Sequence, residues 1–462
     1  MLAGSIAANY LLAAYIGRST GIKRSYATAF GIAANLGVLG YFKYAGFLVV
    51  TTNDAVGTTF SVPNIALPLA ISFFTFQQIA YLIQTSRGQA RGVGLLEYAA
   101  FISFFPQLIA GPIVRYEEIG PQFRTRAMNG DRIRKQFTSH LSIGLAIFAI
   151  GLVKKVVFAD TLATFADPVF LAAEVEGPIT GYDAWIAAIA FSLQVYFDFS
   201  GYSDMAVGLA RMAGFRLPLN FNSPFKAPNI GEFWRRWHMT LTRFLTDFVF
   251  TPISLKFTRV AVGVSPATQP FALAFAVVAP IVITFALIGL WHGAGWNFVV
   301  FGLVHAAMLI VYRGWTSLKE RLPFFRLSPG RAGTPIAIGM TFAACTLAFV
   351  FFRAADLNAA VYFFRSMFGL GLPLVPAQLA VGPVSWVAEI LGLEVGLSPF
   401  WQGTRPLTWL SVSLLVVWGM PNTYQWFRRY QPVIDMKPVL ALTRETARRI
   451  GTTDRIAFAA FG

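Results

Sequence analysis

Long, unbroken apolar runs decide what this chain can fold into. They fall at 2–17, 26–50, 65–83, 95–113, 140–158, 183–210, 271–290, 294–312, 334–352 and 406–420, with a less distinct one inside 376–398. A helical run of about 20 apolar residues matches the hydrocarbon thickness of a bilayer. Composition agrees, since 56% of the 462 residues are hydrophobic and only 13% are charged. A soluble domain carries about 25% charged residues. A membrane β-barrel would instead show alternating segments of about ten residues. The chain is therefore predicted to be an all-α, polytopic integral membrane protein. With no repeats and no low-complexity linker, it reads as one domain over 1–462 with about ten or eleven spans.

The formal net charge of +16 does not point to nucleic acid. The basic residues form short clusters between apolar runs, such as Arg18, Lys23 and Arg24, or Arg132, Arg134 and Lys135, or Arg428 and Arg429. No basic domain stands apart, so no nucleic-acid partner is expected. Such clusters orient membrane helices by holding their loops in the cytoplasm. On that rule 18–25 and 84–94 are cytoplasmic, whereas 51–64 and 159–181, which lack Lys and Arg, lie outside. The run 95–113 conflicts with the rule. If it crossed, Arg115, Arg124, Arg126, Arg132, Arg134 and Lys135 would all be external. Pro106, Gly111 and Pro112 interrupt it, and a re-entrant hairpin removes the conflict. The single cysteine, Cys345, excludes an internal disulfide and reads as a small core residue.

The stretch 214–270 is too polar to span and too aromatic for a loose loop. A helix is predicted from Ile230, with Trp234, Trp237, His238, Leu241 and Leu245 on one apolar stripe. Arg235, Arg236 and Arg243 lie off that stripe. A basic amphipathic helix of this kind lies in or dips into the cytoplasmic interface.

Only four histidines occur, at 140, 238, 292 and 305. An ionisable group inside a membrane segment is a functional candidate by default. His140 reads as a helix-start residue. His292, in Leu-Trp-His-Gly-Ala-Gly-Trp-Asn, reads either as a membrane-edge histidine between two tryptophans or as a functional group. His305 follows 13 residues later, which is the wrong spacing for two ligands on one helix face. No metal site is expected. Asp198 and Asp204 read most simply as partners of Arg211, Arg235 or Arg236. P-loop and His-x4-Asp acyltransferase motifs are absent from the sequence.

Phe-Trp-Arg-Arg-Trp-His238 and Leu-Trp-His292-Gly-Ala-Gly-Trp-Asn-Phe resemble the membrane-bound O-acyltransferase (MBOAT) family. The closer resemblance is to its bacterial branch, membrane subunits that O-acetylate alginate and other exported polysaccharides. Supporting stretches are Tyr41-Phe-Lys-Tyr, Leu67-Pro-Leu-Ala-Ile-Ser, Phe105-Pro-Gln-Leu-Ile-Ala-Gly-Pro, Tyr196-Phe-Asp-Phe-Ser-Gly-Tyr-Ser-Asp and Asn220-Phe-Asn-Ser-Pro-Phe. The core motifs lie in 65–315. Members usually carry a further apolar segment ahead of the position of Ser5, so the family's first span is expected to be missing from this sequence.

The resemblance implies a helical bundle around a central tunnel in the bacterial inner membrane. It implies an acyltransferase that passes acyl groups from a cytoplasmic donor, acetyl-CoA by analogy, to an extracytoplasmic hydroxyl or a partner. His292 matches the family's near-invariant histidine, and His238 its second polar position. A histidine near neutral pH can take the acceptor's hydroxyl proton. Asn297 and Trp296 are oxyanion-donor candidates. Arg235, Arg236 and Lys226 are candidate contacts for donor phosphates, or else bind anionic lipid. Expected partners are membrane lipid, a periplasmic acetyltransferase or esterase-like protein and a polysaccharide synthesis complex. A transporter or flippase, or a non-enzymatic scaffold of a secretion complex, is the alternative. A transporter often shows internal repeats, whereas the polar features here cluster once, in 194–305.

Overall fold

The computed structural model describes residues 1–450 apart from 91, 109–110, 129, 266–267, 323–332, 372–373, 377–389, 391–393, 397 and 402. For 108, 126–128, 130–136, 374–376 and 445–450 only the backbone is described.

Five helical stretches are long and apolar enough to cross a bilayer among the described residues: Gly21–Val56, Phe137–Glu174, Gln269–His292, Trp296–Arg321 and Gly333–Arg353. The chain is a helical, multi-pass membrane protein. It opens with α1 (Leu2–Arg18) and α2 (Gly21–Leu39), and α2 runs through a π-helical turn, Gly40–Tyr44, into α3 (Ala45–Val56). Next come α4 (Ile71–Ser86), α5 (Leu95–Ile102), the single turn α6 (Phe105–Leu108) and α7 (Tyr116–Met128). A second π turn, Lys154–Ala159, joins α8 (Gly130–Val153) to α9 (Asp160–Glu174).

The span count inferred from the runs is not reached by length alone. The runs 2–17, 65–83 and 406–420 become helices of 17, 16 and 15 residues. At 1.5 Å per residue these are about 22–26 Å long, short of a hydrocarbon layer of about 30 Å. The run 95–113 is broken. Its α5 ends at Ile102, its α6 is one turn, and Ile113 and Val114 are buried irregular backbone. The run 376–398 lies mostly outside the described residues. At its borders Leu374–Pro376 and Glu394–Gly396 pair as two short parallel strands. His140 lies inside α8, ten residues after its start, not at a helix start.

The 32-residue α10 (Gly181–Met212) is the axis of the bundle, and most of its side chains are buried. It packs on α8 at backbone distance. A Cβ on Gly151 would meet the Gly201 carbonyl oxygen at 2.5 Å, and one on Gly208 would meet that of Gly144 at 2.6 Å. Small residues let membrane helices approach this closely. The contact brings the π turn's lysines onto α10. Lys154 Nζ lies 2.6 Å from Asp204, and Lys155 Nζ lies 2.7 Å from Asp198. These lysines, not the expected arginines, neutralise the two acids. Asp204 is buried, and a buried carboxylate needs such a partner.

The helix predicted from Ile230 is broken. It divides at His238 into α11 (Ile230–Arg236) and α12 (Met239–Leu245). Trp237 is extended, and His238 has left-handed backbone, φ +41° and ψ 52°. The segment is not a surface helix either, since Phe233, Trp234, Trp237, His238, Leu241 and Phe244 are all buried. A π turn, Thr246–Phe250, carries α12 on into α13 (Thr251–Val262). Then follow α14 (Gln269–His292) and α15 (Trp296–Arg321). Their backbones also touch, because a Cβ on Gly302 would sit 2.1 Å from the Phe285 carbonyl oxygen. The chain closes with α16 (Gly333–Arg353), α17 (Leu357–Arg365), α18 (Arg405–Gly419), α19 (Thr423–Trp426) and α20 (Lys437–Ile450).

Candidate functional site

The continuous helix 239–262 runs antiparallel to α14. At one end Phe257 packs on Phe275, with ring centroids 5.5 Å apart. At the other end His238 meets Trp291, with centroids 5.8 Å apart. The residue that opens one helix thus sits beside the two residues that close the other. Trp291 lies against both histidines, and its ring is 4.7 Å from that of His292. The site candidates His238 and His292, 54 residues apart in sequence, come together here.

His238 is held in its strained conformation by the strand-like segment before it. Met239 N donates to the Asn220 carbonyl at 2.8 Å, and Asn222 N donates to the Arg236 carbonyl at 2.9 Å. Left-handed backbone at a non-glycine residue costs energy and recurs at functional sites. The His238 ring is 1% exposed and packs on Phe199, Phe221 and Trp291. Its Nδ1 lies 3.0 Å from Asn220 Oδ1, while its Nε2 is buried without a partner among the described residues. Burial, with a smaller contribution from His292, holds this imidazole well below the usual histidine range. The Trp291 indole N–H is likewise buried and unpartnered. Buried polar atoms are nearly always hydrogen-bonded, so these two orphans leave one acceptor and one donor open beside His292; the contacting Trp234 and His305 rings also have unpartnered nitrogens among the described residues.

Half-buried His292 packs on Phe301 and Phe352, at 5.8 and 4.9 Å. The last carbonyls of α14 are capped from α2's π turn. Lys43 Nζ donates to the Trp291 carbonyl, and Tyr44 Oη donates to that of Leu290 at 2.6 Å. A helix leaves these carbonyls unsatisfied. The cap also sets a cation beside His292. Sequence reasoning did not single out Lys43. The signal was present, as a lone lysine inside the apolar run 26–50.

The broken run 95–113 braces the same region. Ile113 N donates to Thr240 Oγ1 at 2.9 Å, Arg115 pairs with Asp247 at 2.6 Å, and Glu118 pairs with Arg243 at 2.6 Å. Between these elements lies an open pocket of about 320 Å³. It extends from Asp247 and Arg243 to Thr240, with Trp234 and Arg235 on its wall.

Other candidates lie elsewhere. Of the three basic residues, only Arg235 lines that pocket, and it pairs with Glu232 at 2.5 Å. Arg236 is buried and also pairs with Glu232. Lys226 donates to the Met420 carbonyl at 2.6 Å, and burial lowers its pKa to about 8. Asn297 Nδ2 donates to the Ala354 and Phe351 carbonyls at 2.8 and 3.3 Å, so both amide hydrogens tie α15 to the end of α16. Trp296 is 52% exposed and packs on Phe47. His305 is fully buried among Trp234, Phe233 and Phe301. The Phe301 ring separates it from His292. No group of three or more His, Cys, Asp or Glu among the described residues is arranged to hold a metal ion.

A family model described as MBOAT, membrane-bound O-acyltransferase family, matches residues 32–352. A peptidoglycan O-acetyltransferase of Helicobacter pylori is 37% identical over 399 residues, covering 80% of this chain and 70% of that protein. A probable alginate O-acetylase of Pseudomonas aeruginosa is 37% identical over 379 residues, covering 80% of this chain and 66% of that protein. A teichoic acid D-alanyltransferase of Streptococcus thermophilus is 25% identical over 313 residues, covering 66% and 72% respectively.

Proposed function

The chain belongs to the membrane-bound O-acyltransferase family, and from that premise we propose that it O-acetylates an exported polysaccharide, such as alginate or peptidoglycan, with acetyl-CoA as donor. The observation that carries this reading is the pair of orphaned buried atoms, His238 Nε2 and Trp291 Nε1, beside His292. One accepts a hydrogen bond, one donates, and a second imidazole stands next to them. Acyl transfer to a hydroxyl needs those three elements.

In the proposed reaction the acceptor hydroxyl oxygen attacks the thioester carbonyl carbon, and His292 takes the hydroxyl proton. The Trp291 N–H holds the oxyanion that forms. When the carbon–sulfur bond breaks, His292 returns its proton to the departing thiolate. His238 Nε2 accepts a hydrogen bond from the substrate and fixes its approach.

The site's position supports donor access from the cytoplasmic face. Arg313, Lys319 and Arg321 at the far end of α15 mark the cytoplasmic side by charge. The pocket rising from Asp247 to Thr240 approaches the histidines from that direction. Such a donor path and an exported acceptor support an inner-membrane location in a bacterium. A periplasmic acetyltransferase or esterase-like partner, and the polysaccharide synthesis complex, would receive or present the acceptor.

The test is direct. Full-length protein in lipid nanodiscs is given acetyl-labelled acetyl-CoA with deacetylated alginate or peptidoglycan fragments. Label is expected on a glycan hydroxyl, with release of coenzyme A. Unreacted donor with both acceptors would overturn the assignment.

A further inference from the structure

We infer that Asn220 is a positioning residue that locks His238 as its Nδ1–H tautomer, leaving the Nε2 lone pair aimed at the substrate. The inference rests on the reading above that His238 belongs to the acyl-transfer site. The tautomer follows from counting donors and acceptors around the Asn220 amide.

Asn220 is fully buried. Its Nδ2 donates to Ser203 Oγ at 3.0 Å. Its Oδ1 faces the Thr240 hydroxyl at 2.8 Å and the Thr240 backbone N–H at 3.4 Å. The backbone N–H can only donate. The hydroxyl already accepts from Ile113 N at 2.9 Å, so its own proton is free to point at Asn220. Turning the amide over would set its NH₂ group against the Thr240 backbone N–H, which can only donate. The oxygen therefore faces His238, and an oxygen at 3.0 Å from Nδ1 requires a hydrogen on Nδ1. A neutral imidazole carries one N–H, so Nε2 is bare. That is the atom found buried without a partner. A hydrogen bond to one ring nitrogen sets the chemistry of the other.

The same contacts explain the backbone at this point. Asn220 also accepts from Met239 N through its main-chain carbonyl, so one residue fixes both the left-handed conformation of His238 and its tautomer. Ser203 and Thr240 hold the amide from α10 and α12, and the broken run 95–113 holds Thr240. The titratable neighbour that acts on the His238 ring is His292. The other ring neighbours are Phe199, Phe221 and Trp291.

Four histidines in the whole chain make the test practical. Full-length protein labelled with ¹⁵N-histidine is studied by NMR in lipid, with His238→Gln used to assign its signals. Wild type should show His238 as the Nδ1–H tautomer. Asn220→Leu should produce an Nε2–H signal and slow acyl transfer by about tenfold to a hundredfold. Asn220→Asp keeps an acceptor at Nδ1 and should keep the tautomer, with transfer within a few-fold of wild type. Its carboxylate favours imidazolium, so the acid limb of its pH–rate profile should move to higher pH. A merely structural asparagine would not shift that limb. Unchanged His305 signals in both variants would show that the bundle is intact. An Nε2–H tautomer in wild type, or an unchanged tautomer and rate in Asn220→Leu, overturns the inference. Full activity of His238→Ala with the tautomer as expected would instead remove His238 from the reaction and leave the lock standing.

Discussion

His292→Ala is expected to insert and fold like wild type and to transfer acyl groups at least about 100-fold more slowly. The substitution removes the group proposed to take the acceptor proton. It costs little structure, because the ring is only half-buried and its neighbours Phe301 and Phe352 pack on other aromatic side chains. The comparison is made on purified variant and wild type at equal amounts, with saturating donor. Under that condition the loss falls in kcat, as expected when a transition-state interaction is removed. Wild-type kcat in the alanine variant would remove His292 from the chemistry.

Trp291→Phe should produce a loss of comparable size, about 100-fold to 1,000-fold in kcat. Phenylalanine keeps an aromatic ring against Phe73, Phe76, His238 and His292, but it has no N–H. The variant thus isolates one buried donor. If that donor holds the oxyanion, donor KM changes little while kcat falls. A rise in KM with unchanged kcat would show that Trp291 binds substrate and transition state alike, and the oxyanion role would be lost.

His292 and His238 were legible because ionisable groups are so few in this chain, and because the motifs around them resemble a known family. The geometry between them was not. A perfect i, i+3, i+4, i+7 stripe over Trp234, Trp237, His238 and Leu241 predicts one continuous helix. It gives no sign that Asn220, 18 residues earlier, holds His238 in left-handed backbone. The stripe's buried character survived, and its helical continuity did not. Asn297 looked available beside His292, yet its amide is consumed by carbonyls at the end of α16, 54 and 57 residues away. Trp291 read as one of a pair of membrane-edge tryptophans. Only Trp296 is exposed, while Trp291 turns its N–H inward. The acids of α10 found lysines on a π turn whose approach depends on Gly151 and Gly201 touching. In each case the deciding contact is long-range, and helical periodicity contains no term for it.

The central claim is that an acyl group reaches the far side of the membrane while its donor stays behind. Moving a charged nucleotide through hydrocarbon is costly, and a site reached from both faces avoids it. Proteoliposomes test this most directly. Protein is oriented with Arg313, Lys319 and Arg321 facing outward, acetyl-CoA is added outside, and the glycan acceptor is enclosed in the lumen. One preparation carries label on the acetyl group and the other on the nucleotide. The account predicts acetyl label on lumenal glycan, no nucleotide label inside, and loss of the acetyl signal in His292→Ala. Nucleotide label accumulating in the lumen would contradict it and favour a transporter.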